Sequence, residues 1–551
     1  MLKRWAPELA MALDGAWPSH RLLVARLLLA LGQCAVLLLL AYAAGRLGAT
    51  LTQGPSVTLD LGLLAALLVL STLLVIAQAG VSTHAKLTAQ KHLQRVLFEH
   101  LQKAELRDTL EHPAGDLINR LTQDVDTLVS FTTAAVPSIG PQALMTLGAL
   151  VLMFAIDGAL AVASMAAVAG LLILVRLAAR SLRPLAMAQA QAQSESIEAA
   201  RALLAYLPVS KAFGREEAAI SQFSDALEQA EYTSRRLAIY SQSLQPAAWL
   251  LAGLGLLVLL VASNRGWVGG GQDPQLALSL VAYTLVLARG TGAMAAFYGT
   301  LQQALAAATR IAGLRQMSLE QEGTTPLPAG PLQVRFRSVD FAYPGQRMLL
   351  TNIDLTLEPG TITALTGANG TGKSTLAALL LRFERPSAGS VSLGGHDVQT
   401  LTTQALRQAV AWVPQHPQLL PGTIATNIGW SNTKVSRSGI EAAARLATAH
   451  AFINALPHGY DTLIGAGNVP LSGGQMQRIA IARAVFANAP ILLLDEATSM
   501  FAPEDDEHLF DALKNWLQTR AVLIITHRAT TLARAGQVLH LHEGTLKVQC
   551  R

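Results

Sequence analysis

Six apolar stretches of about twenty residues each crowd the first three hundred positions of this chain, and none follows them. A helix needs about 20 apolar residues to cross the hydrocarbon core of a bilayer, so each stretch is long enough to span one. The predicted spans are 22–44, 58–80, 136–156, 159–178, 245–264 and 276–298. Composition agrees: 51% of residues are hydrophobic and 14% charged, against about 25% charged in an ordinary soluble domain. The N-terminus lacks a secretory signal pattern, because mixed residues precede the first apolar run and no small-residue cleavage site follows it. Two cysteines, Cys34 in an apolar run and Cys550, exclude a disulfide framework or a cysteine-based metal site.

The distribution of basic residues orients the spans. The connection 81–135 carries Lys86, Lys91, Arg95, Lys103, Arg107 and Arg120; the stretch 179–244 carries Arg180, Arg183, Lys211, Arg215, Arg235 and Arg236. The remaining loops hold little beyond Arg46 and Arg265. The positive-inside rule therefore places both termini and both long connections in the cytoplasm. The net charge of +5 is accounted for by topology, and no nucleic-acid partner is expected. Both connections keep helical periodicity, and a helix from 58 to about 108 would project roughly 40 Å beyond the membrane at 1.5 Å per residue. Each is expected to fold back as a helical hairpin with its tip near "HPAGDLINR" or "LPVSKAFGRE"; amphipathic helices lying on the lipid surface are the alternative. Spans three and four, separated only by "IDG" around Asp157, form a tight hairpin. Arg289, in the middle of the sixth span, is costly there; it reads as facing an anionic substrate group, as half of a structural ion pair, or as lying nearer the interface.

Near residue 320 the character of the chain changes. "LEQEGTTPLPAGP" (319–331) reads as a linker between a first domain, 1–318, and a second, 332–551. In the second, short β-branched strands such as "TITALTG", "ILLLDE" and "AVLIITH" alternate with helices, which predicts an α/β domain with a largely parallel sheet.

Its chemistry starts at "GANGTGKST" (367–375), which follows a strand and opens a helix. Gly367, Gly370 and Gly372 let backbone N–H groups close around a polyphosphate, with Asn369 and Thr375 in the same cradle. Lys373 can reach the β- and γ-phosphates, and the Ser374 hydroxyl suits Mg²⁺. "ILLLDE" then delivers two carboxylates at a strand end. Asp495 suits a Mg²⁺-associated role, while Glu496 points differently and can act as general base toward a water. Without the phosphate loop, a turn or capping acid would be the simpler reading. A second anion cradle stands at "LSGGQ", where Ser472, Gly473, Gly474 and Gln475 open another helix. One nucleotide does not need two cradles separated by a whole subdomain.

With these motifs in this order, the chain resembles the ATP-binding cassette (ABC) transporters, and among them the half-size exporters, over nearly its full length. The resemblance implies a membrane all-α six-helix transmembrane domain plus an α/β P-loop NTPase domain, working as a dimer with a second half-transporter, identical or not. It implies that LSGGQ contacts ATP held by the other subunit's P-loop. It further implies adenine stacking by Tyr343 in "FAYPG", sensing of Mg²⁺ and water by Gln415 in "VPQ", and a switch role near the γ-phosphate for His527 in "ITHR". "RLTQDVDTL" and "VSKAFGREE" resemble the family's two intracellular loops. The expected activity is ATP hydrolysis to ADP and phosphate coupled to export of a hydrophobic or amphipathic small molecule, lipid or peptide across the bilayer of a bacterial cytoplasmic membrane. Import of a siderophore-like compound and an ATP-gated channel or regulatory subunit are the rival readings, and a peptide exporter with its own leader peptidase is not expected.

Three departures stand out. The family's Ser-Ala-Leu-Asp after the acidic pair is Ser499-Met500-Phe501-Ala502 here, so an interfacial acid is missing. Ala466 stands where exporters commonly carry Glu, and the sequence ends soon after "HEGTL", where the family usually continues in C-terminal helices. The catalytic set is intact, so hydrolysis is expected, with weaker linkage between the two composite sites.

Overall fold

The computed structural model describes residues 17, 19–53, 57–156, 158–243, 246, 250, 253–254, 274–327, 330, 332–431, 434–465 and 470–548. Most of the fifth predicted span lies outside the described residues, as do Asp157, Arg265, Ala466, Cys550 and linker residues 328, 329 and 331. The chain divides into two units, Met1–Leu319 and Glu320–Arg551.

The described residues of the first unit are almost all helical. Its long helices are α1 (His20–Gln53), α2 (Val57–Lys103), α3 (Val136–Ile156), α4 (Gly158–Ala205), α5 (Glu216–Gln242) and α6 (Pro274–Arg315). Among the described residues, three stretches are long and apolar enough to cross a membrane: His20–Ala44, Thr58–Lys103 and Ala114–Ala155. The fourth predicted span falls within α4 and the sixth within α6. The unit is apolar on its outside: α2 leaves Leu59, Leu68, Val69, Leu73 and Ile76 exposed, the kind of surface that a membrane or a partner covers. Its polar contacts turn inward, as lipid demands. Gln78 on α2 donates to Gln33 on α1 at 2.7 Å, and Arg26 bonds the Ser82 hydroxyl at 2.9 Å and the Ala134 carbonyl at 3.0 Å. Arg289 sits on α6 with its side chain exposed. One residue further, α6 meets α3 so closely that any Cβ on Gly290 would collide with the Thr146 hydroxyl. Small residues permit such close helix crossings.

Helix α2 stops at Lys103, short of the expected 108, because the chain there finds another partner. Ala104 pairs with Leu319, and the Glu105 N–H donates to the Ser318 carbonyl at 2.8 Å. Short helices at Leu106–Leu110 and Ala114–Asn119 make the first tip, and one at Leu207–Ala212 makes the second. The returning segment passes through two wide, π-type turns, Arg120–Asp124 and Phe131–Ala135, a local form often found at functional or strained positions. Leu93, Leu97, Val125, Leu128 and Ile311 form the core here. At its edge Arg310 grips the buried Asp124 with two hydrogen bonds, at 2.8 and 2.6 Å.

The second unit carries β1 (Val334–Phe341), β2 (Leu350–Leu357), β3 (Ile362–Thr366), β4 (Ala388–Leu393), β5 (His396–Asp397), β6 (Val410–Val413), β7 (Gly422–Thr423), β8 (Leu463–Ile464), β9 (Ile491–Asp495), β10 (Ala521–Ile525), β11 (Gln537–His542) and β12 (Thr545–Val548). An antiparallel sheet runs β2-β1-β4-β5, β7 pairs with β8, and the main sheet runs β12-β11-β3-β10-β9-β6. In the main sheet β11, β3, β10, β9 and β6 pair in parallel. Strands β9 and β10 are buried along their whole length, which explains their unbroken apolar runs in the sequence. Two cores result. One joins the antiparallel sheet to the helix after β3; the other packs helical segments against β6, β9 and β10. The segment after Leu319 is bonded within this unit: Glu320 pairs with Arg407 at 2.6 Å, and Thr325 pairs with Leu401.

Candidate functional site

Strand register gathers the candidate residues at one edge. Ile525 on β10 pairs with Leu365 on one side and Asp495 on the other, and Val413 on β6 pairs with Leu494. The phosphate loop, the acidic pair, Gln415 and His527 therefore all leave the carboxyl ends of adjacent parallel strands, the usual place for a ligand in such a sheet. In the loop after β3, Gly367, Gly370 and Gly372 all have left-handed backbone, with φ of 146°, 80° and 103°. At Gly372 the restriction is double, since a Cβ would also press into Leu350 at 2.8 Å. Asn369 is exposed on the loop. The Lys373 Nζ is folded back over the loop, donating to the carbonyls of Gly367 at 2.6 Å and Ala368 at 2.9 Å. An ammonium held over a ring of amides is the donor set a polyphosphate requires. Helix α7 (Lys373–Leu380) buries Thr375, whose hydroxyl lies 3.3 Å from the Tyr343 hydroxyl. The half-buried Tyr343 ring meets Phe341 edge-on at 4.9 Å.

Asp495 ends β9, buried, hydrogen-bonded to the Ser374 hydroxyl. Burial pushes its carboxyl above the usual range; the neighbouring Glu496 charge adds to this, while Ser374 and Lys373 oppose it. Glu496 is half-buried and has left-handed backbone, φ 47°, uncommon for a residue with a side chain. Its N–H donates to the Ile525 carbonyl at 2.9 Å, and its carbonyl accepts from Ser499 N–H at 3.0 Å. These bonds hold the strained backbone. The reversal sends the Glu496 side chain to Gln415, whose Nε2 donates to Oε2 at 2.7 Å. His527 stands exposed two residues past β10.

The second cradle belongs to the other core. Ser472 caps helix α8 (Gly473–Ala487): its hydroxyl accepts from Gln475 N–H at 3.2 Å, and its own N–H donates to Gln475 Oε1 at 2.9 Å. This reciprocal box leaves Gly473 and Gly474 in the first turn, with helix α8 buried along Ile479, Ala480, Ile481 and Ala482.

Comparison with known proteins accords with this geometry. Residues 350–499 match the ABC transporter family, and residues 23–289 match the ABC transporter transmembrane region. An ATP-dependent lipid A-core flippase of Chromohalobacter salexigens is 31% identical over 452 residues, spanning 82% of this chain and 78% of the flippase. This chain belongs to the ABC transporter family. A flippase of the same description from Chromobacterium violaceum is 32% identical over 480 residues, covering 85% of this transporter and 81% of its own length. In three dimensions the transporter is similar to a bacterial Atm1-family ABC exporter with ATP bound, with a TM-score of 0.87 and 26% identity over 96% of this chain and 95% of that one. The chain is thus an ATP-binding, ATP-driven transporter of half-size exporter layout.

Several contacting residues of the transporter were not legible as site residues. The buried Gln477 donates to the Ser499 hydroxyl at 3.2 Å and accepts from Met500 N–H at 3.3 Å. Arg528 donates to the carbonyls of Thr498 and Phe501. A glutamine inside an apolar helical run and an arginine directly after His527 were the available signals. Ala502 begins helix α9 (Pro503–Leu517) with no side-chain cap.

The raised Asp495 carboxyl has a testable consequence. A folded-state pKa above the unfolded one means that the native protein binds more protons, so stability falls as pH rises from the unfolded-state value through the folded-state one, and the cost is full only above the latter. Asp495→Asn is therefore expected to raise the unfolding temperature of the nucleotide-free protein at pH 7 while lowering ATP turnover at least about a hundredfold. Calorimetry beside a phosphate-release assay reads both; a lower unfolding temperature would contradict the assignment.

Proposed function

We propose that this chain is one half of an ATP-driven lipid exporter, closing head-to-tail on a second half-transporter over two ATPs. The observation that carries the proposal is the convergence of four loops at one sheet edge, in a chain whose other unit wears its apolar side chains outward. Lys373 and the amides of Gly367, Asn369, Gly370 and Gly372 hold the polyphosphate, and Tyr343 packs on the adenine. Ser374 and Asp495, a hydroxyl and a carboxylate already in contact, fit a Mg²⁺ ion as hard oxygen donors. When bound, that ion neutralises charge developing on the phosphates. Glu496 takes the proton from the attacking water as its oxygen bonds to the γ-phosphorus and the bond to the β-phosphate oxygen breaks, giving ADP and phosphate. Gln415 holds the Glu496 carboxylate in place, and His527 polarises the γ-phosphate. Ser472, Gly473, Gly474 and Gln475 face the partner's nucleotide.

A lipid substrate is supported by the relatives named as lipid A-core flippases and by the apolar outer surface of the first unit. The basic long connections support an ATPase unit in the cytoplasm and residence in the bacterial cytoplasmic membrane. In proteoliposomes given external ATP, only molecules with the ATPase unit outward respond. Export then moves fluorescent lipid from the outer to the inner leaflet, where membrane-impermeant dithionite no longer quenches it. ATP-dependent movement in the opposite sense, or ion conductance without lipid movement, would sink the reading.

A further inference from the structure

The loop after the acidic pair is tied to the LSGGQ helix of the same chain. Met500 has a side chain 53% exposed, yet its sulfur lies where a Cβ on Gly473 would sit, and its carbonyl oxygen is 3.5 Å from the corresponding position on Gly474. Its neighbours in the loop are hydrogen-bonded. Ser499 and Met500 are bonded to the buried Gln477, and the Thr498 and Phe501 carbonyls are bonded to Arg528. The Phe501 ring lies beneath the Arg478 guanidinium at 5.1 Å, and Arg478 also pairs with Asp505 at 2.9 Å. At the other end, Ser499 N–H is bonded to the Glu496 carbonyl. A continuous chain of contacts thus runs from the general base to the first turn of α8. Its last link is a thioether seated on a glycine, a soft, polarizable contact that adapts to small displacements.

We infer that Met500 is a positioning residue linking the two ATP sites in cis: movement of the Glu496 loop shifts Ser472 and Gly473 through the Met500–Gly473 contact. This rests on the proposed dimer, in which Glu496 serves the chain's own ATP and the LSGGQ segment serves the partner's. Ala502 has no polar side chain to make a cross-subunit contact, and the thioether supplies the linkage within one chain instead. Gly473 is constrained accordingly, because any side chain there would evict Met500.

The test compares Met500→Ala and Met500→Leu in the full-length protein in lipid nanodiscs. Trinitrophenyl-ATP binding reports the nucleotide site itself, and an ATP titration of hydrolysis reports the linkage. For Met500→Ala, trinitrophenyl-ATP affinity stays within about twofold of wild type while half-saturating ATP rises about fivefold and the Hill coefficient falls toward unity. Met500→Leu keeps the volume and restores both. Wild-type half-saturation and Hill coefficient in Met500→Ala overturn the inference. So does a parallel loss of trinitrophenyl-ATP binding, which marks a general structural defect, and so does failure of Leu to rescue. Glu496→Gln separates this from the underlying reading: if that variant keeps its turnover, the site assignment itself fails whatever Met500 does.

Discussion

Glu496→Gln is expected to lower ATP turnover by about a hundred- to ten-thousand-fold, the usual contribution of a general base, while ATP binding persists. The replacement is nearly isosteric, and the amide oxygen can still accept from Gln415 Nε2, now 2.7 Å from the carboxylate. The left-handed backbone at 496 is no harder for Gln than for Glu, so the Ile525 and Ser499 bonds that hold it remain. What disappears is basicity alone. Single-turnover phosphate release and nucleotide retention on the purified protein measure the two effects, and lipid movement in proteoliposomes should stop with turnover. Turnover within threefold of wild type, on the order of half a kcal/mol in barrier, would remove Glu496 from the mechanism.

The second large effect concerns stability of the first unit. Asp124 is 2% exposed and receives both of its strong hydrogen bonds from Arg310. Arg310→Met leaves that carboxylate buried without its counter-charge, which costs about 3–5 kcal/mol. Replacing both residues with apolar ones, Arg310→Met with Asp124→Leu, is expected to recover most of the loss, because two desolvation costs vanish with the attraction they offset. Thermal unfolding of the three proteins in nanodiscs gives the order wild type near the double variant, with Arg310→Met well below both. A single variant as stable as wild type would mean that the ion pair contributes nothing.

How much of this was legible beforehand depended on whether the determinant was local. The phosphate loop, the acidic pair and LSGGQ are contiguous in sequence, and backbone chemistry alone implies their cradles; the structure folds all three at strand or helix ends. The apolar spans are likewise local, and α1, α2 and the 114–155 segment follow them. The end of α2 was misjudged by five residues, since what halts it is Leu319, more than two hundred residues away. Asp124 and Arg310 are 186 positions apart, and their meeting depends on how a wide helical turn rotates one face toward α6. Tyr343 was legible as an aromatic ahead of the phosphate loop, but not its hydroxyl's approach to Thr375. Met500 entered the sequence reading only as part of the altered loop Ser499-Met500-Phe501-Ala502; the joint placement of two loops brings its sulfur onto Gly473.

The backbone at Glu496 also bears on the history of such chains. A left-handed conformation costs a side-chain-bearing residue of order 1–3 kcal/mol, and Gly or Asn adopts it most readily. A gene copy freed from the need to hydrolyse ATP at this site would gain folding stability by drifting to either residue. Glu at 496 is therefore carried at a cost in folding free energy, one that only its part at the site offsets.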